Sequence, residues 1–178
     1  MKLICISGKA GAGKDTVGCM IADYLCFNGH TAGVIHNADL VKMICTTLFG
    51  WNGIKDEAGR KLLQEVGTDI VRAQDPDYWV RSVYDIVNLF QEKFEYIVIP
   101  DCRFPNEIEY HRDRGLYALS VRVEREDITQ YSPERLSHIS ETAMDHYLHD
   151  VTIRNNGTLG QLRRDVEAFC DTYFLSKE

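Results

Sequence analysis

The stretch GKAGAGKDT, from Gly8 to Thr16, has the residue types and spacing of a phosphate-binding loop. Gly8, Gly13 and Lys14 fit a pattern in which a glycine, four residues and Gly-Lys precede a hydroxyl residue. Backbone N–H groups of such a loop and the positive end of the next helix hold phosphate oxygens, and the lysine bridges the β and γ phosphates. The alternative is a glycine turn before a surface helix. The expected ATP contacts in this loop are Gly8, Ala10, Gly11, Ala12, Gly13, Lys14, Asp15 and Thr16.

Two carboxylates could serve a metal ion near this loop. Asp15 stands where the hydroxyl is usual, and the hydroxyl follows at Thr16. A carboxylate beside a triphosphate repels it unless it faces magnesium, water or a cation, so we hypothesise an outer-shell magnesium role for Asp15; favouring the helix dipole is an equal alternative. Asp101 follows the apolar run EYIVIP, where Walker-B-type acids lie, with helix capping or a salt bridge as its alternative. The candidate Mg²⁺ residues, acting through water, are Asp15, Thr16 and Asp101.

Arginines at two further places could hold a second phosphate group. Arg60, Gln64, Thr68 and Arg72 recur about every four residues, which predicts one shared helix face. A solvated charged stripe is the alternative. In PDCRFPNE, Arg103 follows Asp101 at the predicted edge of the sheet. Because a guanidinium grips two phosphate oxygens, the spacing predicts a site for a phosphorylated acceptor.

The polar stretch from Val123 to His146 lies between two predicted strands and has little apolar periodicity. We expect residues 124–146 to form a lid that excludes water from ATP. Arg125 and Arg135 are the lid charges expected to reach the phosphates. His138, Ser140 and Glu141 are further lid candidates, although a histidine at an exposed helix start often has no role.

Alternating strand and helix patterns must position these residues. Strands are predicted at Lys2–Ser7, Thr31–His36, Glu95–Pro100, Leu116–Val123 and Val151–Arg154. Helices are predicted at 14–28, 39–49, 56–73, 77–90 and 158–174, and Pro105 is expected in the first turn of another. This order predicts one α/β domain over residues 1–178, with a parallel sheet of about five strands covered by helices. Ligands of such sheets bind at the carboxyl ends of the strands, where the three polar motifs fall.

Composition excludes several classes of protein. The chain has 178 residues and a formal charge of −7, which disfavours a general nucleic-acid binder. No apolar run reaches the ~20 residues that span a bilayer, and no signal-peptide layout is present. Six cysteines are scattered without a CxxC pair, which indicates a reducing cytoplasm and no zinc. The expected partners are small-molecule nucleotides, without membrane or stable nucleic-acid binding, and a homodimer stays open.

Several stretches together resemble one known family. They are GKAGAGKDT, NADLVKMICTTLFGW, RKLLQEVGTDIVRAQDPDYWV, PDCRFPNEIEY, HISE and DVTIRNNGTLGQL. In this order they resemble the deoxynucleoside monophosphate kinases of tailed bacteriophages. Gly-Lys-x-Thr in place of Gly-Lys-Ser/Thr is common in the related adenylate-kinase-like enzymes. Two departures are Leu40-Val41 where the family often has Pro-Leu, and Cys102 where Val is usual.

The resemblance implies transfer of the ATP γ-phosphoryl group to a deoxynucleoside monophosphate, with Mg²⁺, in a P-loop fold that has acceptor-binding helices over residues 37–80. It implies Arg72 and Arg103 as ligands of the acceptor phosphate, with Asp39 and Lys42 near that pocket. The full acceptor set is Asp39, Lys42, Arg60, Gln64, Thr68, Arg72, Trp79, Arg103, Phe104 and Glu107. Trp79 and Phe104 could equally belong to the core. The candidate catalytic residues are Lys14, Asp101, Arg103 and Arg125.

Three other functions stay open. Phage enzymes that phosphorylate hydroxymethylated bases within DNA resemble the same family. A P-loop fold alone does not name the acceptor, so a kinase of another small metabolite is a second alternative. A regulator that binds ATP without turnover is the third.

Overall fold

A parallel sheet lies at the centre of the protein. The computed structural model describes residues 1–126 and 137–176, and within them the strands follow the order β2-β3-β1-β4-β5. All four pairings are parallel. The strands are β1 Lys2–Ser7, β2 Ala32–Val34, β3 Tyr96–Ile99, β4 Tyr117–Glu124 and β5 Val151–Arg154. The predicted α/β class and parallel five-stranded sheet are confirmed.

Helices connect these strands at nearly all the predicted places. The α-helices are α1 Lys14–Phe27, α2 Ala38–Phe49, α3 Glu57–Gln64, α4 Tyr78–Leu89, α5 Asn106–Arg112, α6 Ile139–Thr142 and α7 Leu159–Cys170. The single helix predicted over 56–73 is instead α3 followed by a π-helix, Glu65–Arg72. A second π-helix, Asp171–Leu175, extends α7. The wider turn in both segments changes which residues share a face, and a four-residue spacing rule cannot foresee this.

The central strand separates two cores. Because side chains alternate along a strand, Ile4 and Ile6 face one core while Leu3 and Cys5 face the other. The first core contains the inner faces of α1 and α7. The second contains those of α4 and α5. Leu159, at the start of α7, lies outside this core and is 62% exposed.

A third apolar cluster lies in the segment of residues 37–80, which we call the acceptor insert. Val41 and Cys45 of α2 pack there against Val66 of the π-helix and Trp79 of α4. Trp79 is buried, and its indole N–H donates to the Gly67 carbonyl at 2.8 Å. The ring therefore supports the insert from inside, which favours the core alternative for Trp79 over a contact with the acceptor.

In residues 1–126 and 137–176 no helix is long and apolar enough to cross a membrane. The six cysteines are free thiols, with Cys5, Cys45, Cys102 and Cys170 buried and Cys19 and Cys26 exposed.

Candidate nucleotide and phosphate site

The glycine loop joins β1 to α1, and residues of β4 and of the turn after β5 lie close against it. Gly8 has φ +144°, and a Cβ there would lie 2.3 Å from the Val123 carbonyl oxygen of β4. Gly13 has φ +95°, and a Cβ there would lie 2.5 Å from the Asn155 side-chain nitrogen. Asn155 also donates to the Ala12 carbonyl at 2.9 Å. Only glycine fits both positions, because a side chain would meet backbone or a bonded amide in a disfavoured conformation.

Lys14 lies folded over its own loop. Its ammonium donates to the carbonyl oxygens of Gly8, at 2.7 Å, and Lys9, at 3.0 Å. Burial lowers the pKa of Lys14 to about 8, and the nearby Arg103 guanidinium adds to this shift. Among the described residues, the Lys14 ammonium hydrogen-bonds to neutral carbonyl oxygens and to no carboxylate. A phosphate group that bound beside it would supply the opposite charge.

Asp15 begins a chain of polar contacts that leads into the acceptor insert. Its carboxylate lies 3.2 Å from His36 Nε2, and His36 Nδ1 lies 3.4 Å from the Asp39 carboxylate. Asp39 in turn accepts a 2.8 Å hydrogen bond from Lys42. The bond with His36 lowers the pKa of Asp15 and raises that of His36. The sequence argument did not single out His36, although it is the last residue of the predicted strand Thr31–His36, at the carboxyl edge of the sheet.

Asp101 caps the first helix of the insert. Its two carboxylate oxygens accept from the backbone N–H groups of Asn37, at 2.8 Å, and Ala38, at 3.0 Å. The helix-capping alternative therefore describes its contacts. Because Asp101 follows β3, this bond fixes the start of the insert to the carboxyl edge of the sheet.

The first candidate acceptor arginine, Arg72, is enclosed by protein groups. Its guanidinium forms an ion pair with Glu107 and donates to Asn106 Oδ1 at 3.0 Å. The guanidinium carbon lies 3.8 Å from the centre of the Phe104 ring. Glu107 also accepts from the backbone N–H of Arg103 at 2.6 Å. Burial raises the pKa of Glu107 to about 7, against the opposing effect of Arg72.

The second arginine, Arg103, is more open. Its guanidinium pairs with Glu141 of α6, and 39% of its side chain is exposed. The other oxygen of Glu141 accepts from the backbone N–H of Ala10 at 2.8 Å. The Glu141 carboxylate, 131 residues from Ala10 in the chain, thus joins Arg103 to the glycine loop.

The segment before β5 rests on the glycine loop. Lys9 donates to the Glu141 carbonyl at 2.8 Å and pairs with Asp145 at 2.7 Å. Arg122 of β4 donates to the Met144 carbonyl at 3.1 Å. His138 accepts from the Ser140 N–H at 3.2 Å and so caps α6. Arg135 lies outside the described residues.

A cavity of about 250 Å³ opens beside the loop, at the ends of β4 and β5. It is lined by Lys9, Ala12, Arg122, Val123, Glu124, Arg125, Glu126, Arg154 and Asn156. Asn156 accepts from the Glu126 N–H at 3.0 Å and closes one side. Arg125 is exposed at this opening.

Three of the predicted acceptor residues are not drawn into these contacts. Arg60, Gln64 and Thr68 are half-buried on α3 and the π-helix, without a side-chain hydrogen bond in residues 1–126 and 137–176. Within the same residues no group of three His, Cys, Asp or Glu side chains could hold a metal ion. Thr16 and Asp15 are exposed at the start of α1. This arrangement suits an ion that arrives on phosphate oxygens and keeps its waters, as Mg²⁺ does.

Together, the glycine loop between a central strand and a helix, Lys14 and the arginines of the same sheet edge define a P-loop protein of the small-kinase type. Residues 38–166 match the family described as Deoxynucleotide monophosphate kinase, and the chain belongs to that family. It is 30% identical, over 114 residues, to the deoxynucleotide monophosphate kinase of Enterobacteria phage T4. That alignment covers 62% of this chain and 45% of the phage T4 protein, so the chain matches less than half the length of this relative.

Two kinases are among the solved structures with a similar fold. The APS kinase of Mycobacterium tuberculosis, in complex with AMPPNP and APS, superposes with a TM-score of 0.55 at 14% identity. The superposition covers 96% of this chain and 95% of that one. A sugar kinase from Janibacter sp. gives a TM-score of 0.53 at 14% identity, over 97% of this chain and 96% of that one. At this identity the likeness concerns the fold.

Proposed function

We propose that the protein is a deoxynucleoside monophosphate kinase that transfers the γ-phosphoryl group of ATP to a deoxynucleoside monophosphate and yields the diphosphate. The observation that carries this proposal is the convergence of the glycine loop, Lys14 and Arg103 at one edge of the sheet. Membership of the family and the phage T4 relative support the choice of acceptor. A transfer between two bound phosphates requires such a cluster of fixed cations.

ATP is the proposed donor. Its phosphates would lie in the glycine loop at the start of α1, in contact with Lys14 and the loop amides. The 250 Å³ cavity between Ala12, Glu126 and Asn156 would take the adenosine part, with Arg125 above it. Asp15, Thr16 and Asp101 would hold Mg²⁺ through water. When bound, the ion would neutralise charge on the phosphate oxygens.

The acceptor would bind on the other side of the loop. Arg103 is the residue we assign to the acceptor phosphate and the moving phosphoryl group, because its guanidinium is open. Arg72, held by Glu107 and stacked on Phe104, would offer its remaining edge to the same phosphate. Asp39 and Lys42, at the start of the insert, are the groups we assign to the nucleoside.

The chemistry then rests on position and charge. Lys14 and the loop amides would stabilise negative charge on the donor side, and Arg103 would do so on the acceptor side. The lid over residues 124–146 would exclude water, which otherwise competes as the phosphoryl acceptor. We further propose that residues 1–178 act as one domain and that free nucleotides, not DNA, are the substrates, since the charge of −7 repels a duplex.

An ADP-release assay tests this function directly. The protein is incubated with ATP, Mg²⁺ and a panel of free nucleoside monophosphates, in ribose and deoxyribose forms. We expect ADP formation that depends on a deoxynucleoside monophosphate, and its loss in a folded Lys14→Ala variant, by about 100-fold or more. A parallel arm supplies labelled ATP and DNA with hydroxymethylated bases. Label in DNA without activity on any free monophosphate would identify a DNA kinase instead, and ATP binding without turnover would identify a regulator.

A further inference from the structure

Glu141 lies where three parts of the protein meet. One carboxylate oxygen accepts from the Ala10 N–H of the glycine loop, and the other pairs with Arg103. Its backbone carbonyl accepts from Lys9. Only 4% of its side chain is exposed, so the carboxylate has exchanged water for these partners. The glycine loop, the segment before β5 and Arg103 are thereby joined at a single side chain.

The contact with Ala10 leaves the start of α1 accessible. Phosphate is bound by amides at a helix N-terminus, and here α1 begins at Lys14. Ala10 was among the expected ATP contacts, but it lies on the earlier limb of the loop and its amide already donates to Glu141, so this amide is not free for phosphate. The carboxylate therefore has no need to leave when a triphosphate enters.

The contact with Arg103 limits where that guanidinium can go. A free arginine has several rotatable bonds and loses rotamer entropy when it is fixed. Glu141 pairs with one nitrogen of the guanidinium, and 39% of the Arg103 side chain stays exposed. Since Glu141 is also bonded to the loop, the position of Arg103 is set relative to the loop that would hold ATP.

We propose that Glu141 is a positioning residue, which fixes Arg103 relative to the glycine loop so that the arginine reaches the transferred phosphoryl group. The proposal rests on the proposed kinase function. Its action is carried by Arg103, and Glu141 has no contact with substrate. A misplacement of about 1 Å in such a group costs on the order of 100-fold in rate.

Steady-state kinetics of Glu141→Gln separate this role from others. We expect kcat to fall by about 10- to 100-fold, with the Kd of ATP and the KM of the acceptor changed less than about threefold. Glu95→Gln is the matched control, because Glu95 is an exposed carboxylate bonded to Thr31 and His30 before β3. Unchanged kcat in Glu141→Gln would overturn the proposal. Tighter ATP binding by Glu141→Gln would also overturn it, because ATP would then have to displace the Glu141 carboxylate from the loop in the wild type.

A double variant tests whether Glu141 acts through Arg103. Arg103→Ala and Arg103→Ala with Glu141→Gln should have equal kcat, because the second change has nothing left to position. Additive losses would contradict the proposal.

Hydrogen exchange gives a readout that needs no turnover. The Ala10 amide should exchange faster in Glu141→Ala than in the wild type, and at the wild-type rate in Glu95→Gln. Unchanged exchange at Ala10 would show that its amide is not protected by the hydrogen bond to Glu141 and would overturn the proposal. If instead the wild type lacks acceptor-dependent ADP formation while Ala10 responds as expected, the kinase function fails and the contact stands.

Discussion

The two arginine–glutamate pairs at the sheet edge have the same chemistry and different surroundings. Arg72 and Glu107 are both enclosed, with 10% and 5% of their side chains exposed. Arg103 is 39% exposed, while its partner Glu141 is 4% exposed. Arg72 has an aromatic ring on one face and a second acceptor in Asn106. Arg103 depends on Glu141, with only long contacts of 3.4 Å to Ser140.

The difference in exposure indicates that the two arginine–glutamate pairs have different roles. An enclosed pair holds the insert against the sheet, and neither partner can be removed without leaving a buried charge. In the second pair, the buried carboxylate of Glu141 holds one nitrogen of the Arg103 guanidinium, and the exposed part of that arginine stays available to a ligand. We therefore expect Arg72 to matter chiefly for stability and acceptor binding, and Arg103 chiefly for the transfer step.

The largest expected effect is the loss of stability in Arg72→Ala. At a pH above 7, where Glu107 is charged, removal of the guanidinium leaves this carboxylate buried without its cation, which costs about 3–5 kcal/mol. Urea denaturation measures the change in unfolding free energy. Replacement of both partners, Arg72→Met with Glu107→Leu, should recover most of the loss. Arg103→Ala should lose clearly less than Arg72→Ala, and equal losses would remove the distinction between the two pairs.

The next effect is on turnover. Arg103→Ala should lower kcat by about 100- to 1000-fold, as does removal of a charge-stabilising donor elsewhere. ATP affinity, measured by direct titration, should stay within about threefold, because the donor phosphates lie on Lys14 and the loop. Arg72→Ala, assayed at a temperature where it is folded, should instead raise the acceptor KM more than it lowers kcat. The reverse pattern would exchange the roles of the two arginines.

The enclosed pair should also leave a signature in the pH dependence of stability. Burial raises the pKa of Glu107 from 4.5 to about 7. The folded state therefore holds this proton more tightly, and the contribution of Glu107 to stability is full below pH 4.5 and is lost as pH rises through 7. From pH 4 to 7.5, the unfolding free energies of the wild type and of Glu141→Gln should fall relative to that of Glu107→Gln.

His111, on the same helix as Glu107, provides the control with the opposite sign. Burial lowers its pKa from 6.5 to about 4, and neither ring nitrogen has a partner in the described residues. Its contribution is full above pH 6.5 and is lost as pH falls toward 4, by about 3 kcal/mol. Glu107→Gln should therefore gain stability from pH 4 to 6.5, and His111→Leu should lose it. Parallel curves in the two variants would contradict both assignments.

The smallest effect is expected at Asn106. Its side chain accepts from Arg72 and donates to Asp77 at 2.7 Å. Asn106→Ala should lower stability by about 1–2 kcal/mol and raise the acceptor KM slightly, since Glu107 and Phe104 still hold Arg72. Asn88→Ala is the matched control, because Asn88 is exposed on α4 without a side-chain hydrogen bond in the described chain. A loss as large as that of Arg72→Ala would place the main restraint on Asn106.

The features that lie within one short stretch were predictable from the sequence. GKAGAGKDT specifies a strand, a turn and a helix start in nine residues, and the strands Lys2–Ser7 and Val151–Arg154 have the predicted bounds. Apolar periodicity located α1 because Val17, Ile21 and Leu25 recur on one face and are buried. The order of residue types within a short stretch is enough to identify such elements.

Tertiary structure decided which polar groups became partners. Asp101 caps α2, Glu107 holds Arg72, and Glu141 joins Ala10 to Arg103. Each partnership connects residues tens to more than a hundred positions apart, and each exists because parallel strands in the order β2-β3-β1-β4-β5 bring their carboxyl ends to one edge. Tertiary packing also placed Trp79 inside the insert and left Leu159 at the surface. Residue types show which groups can bind phosphate, whereas the energetic demand to pair every buried charge determines which of them are held and which stay open.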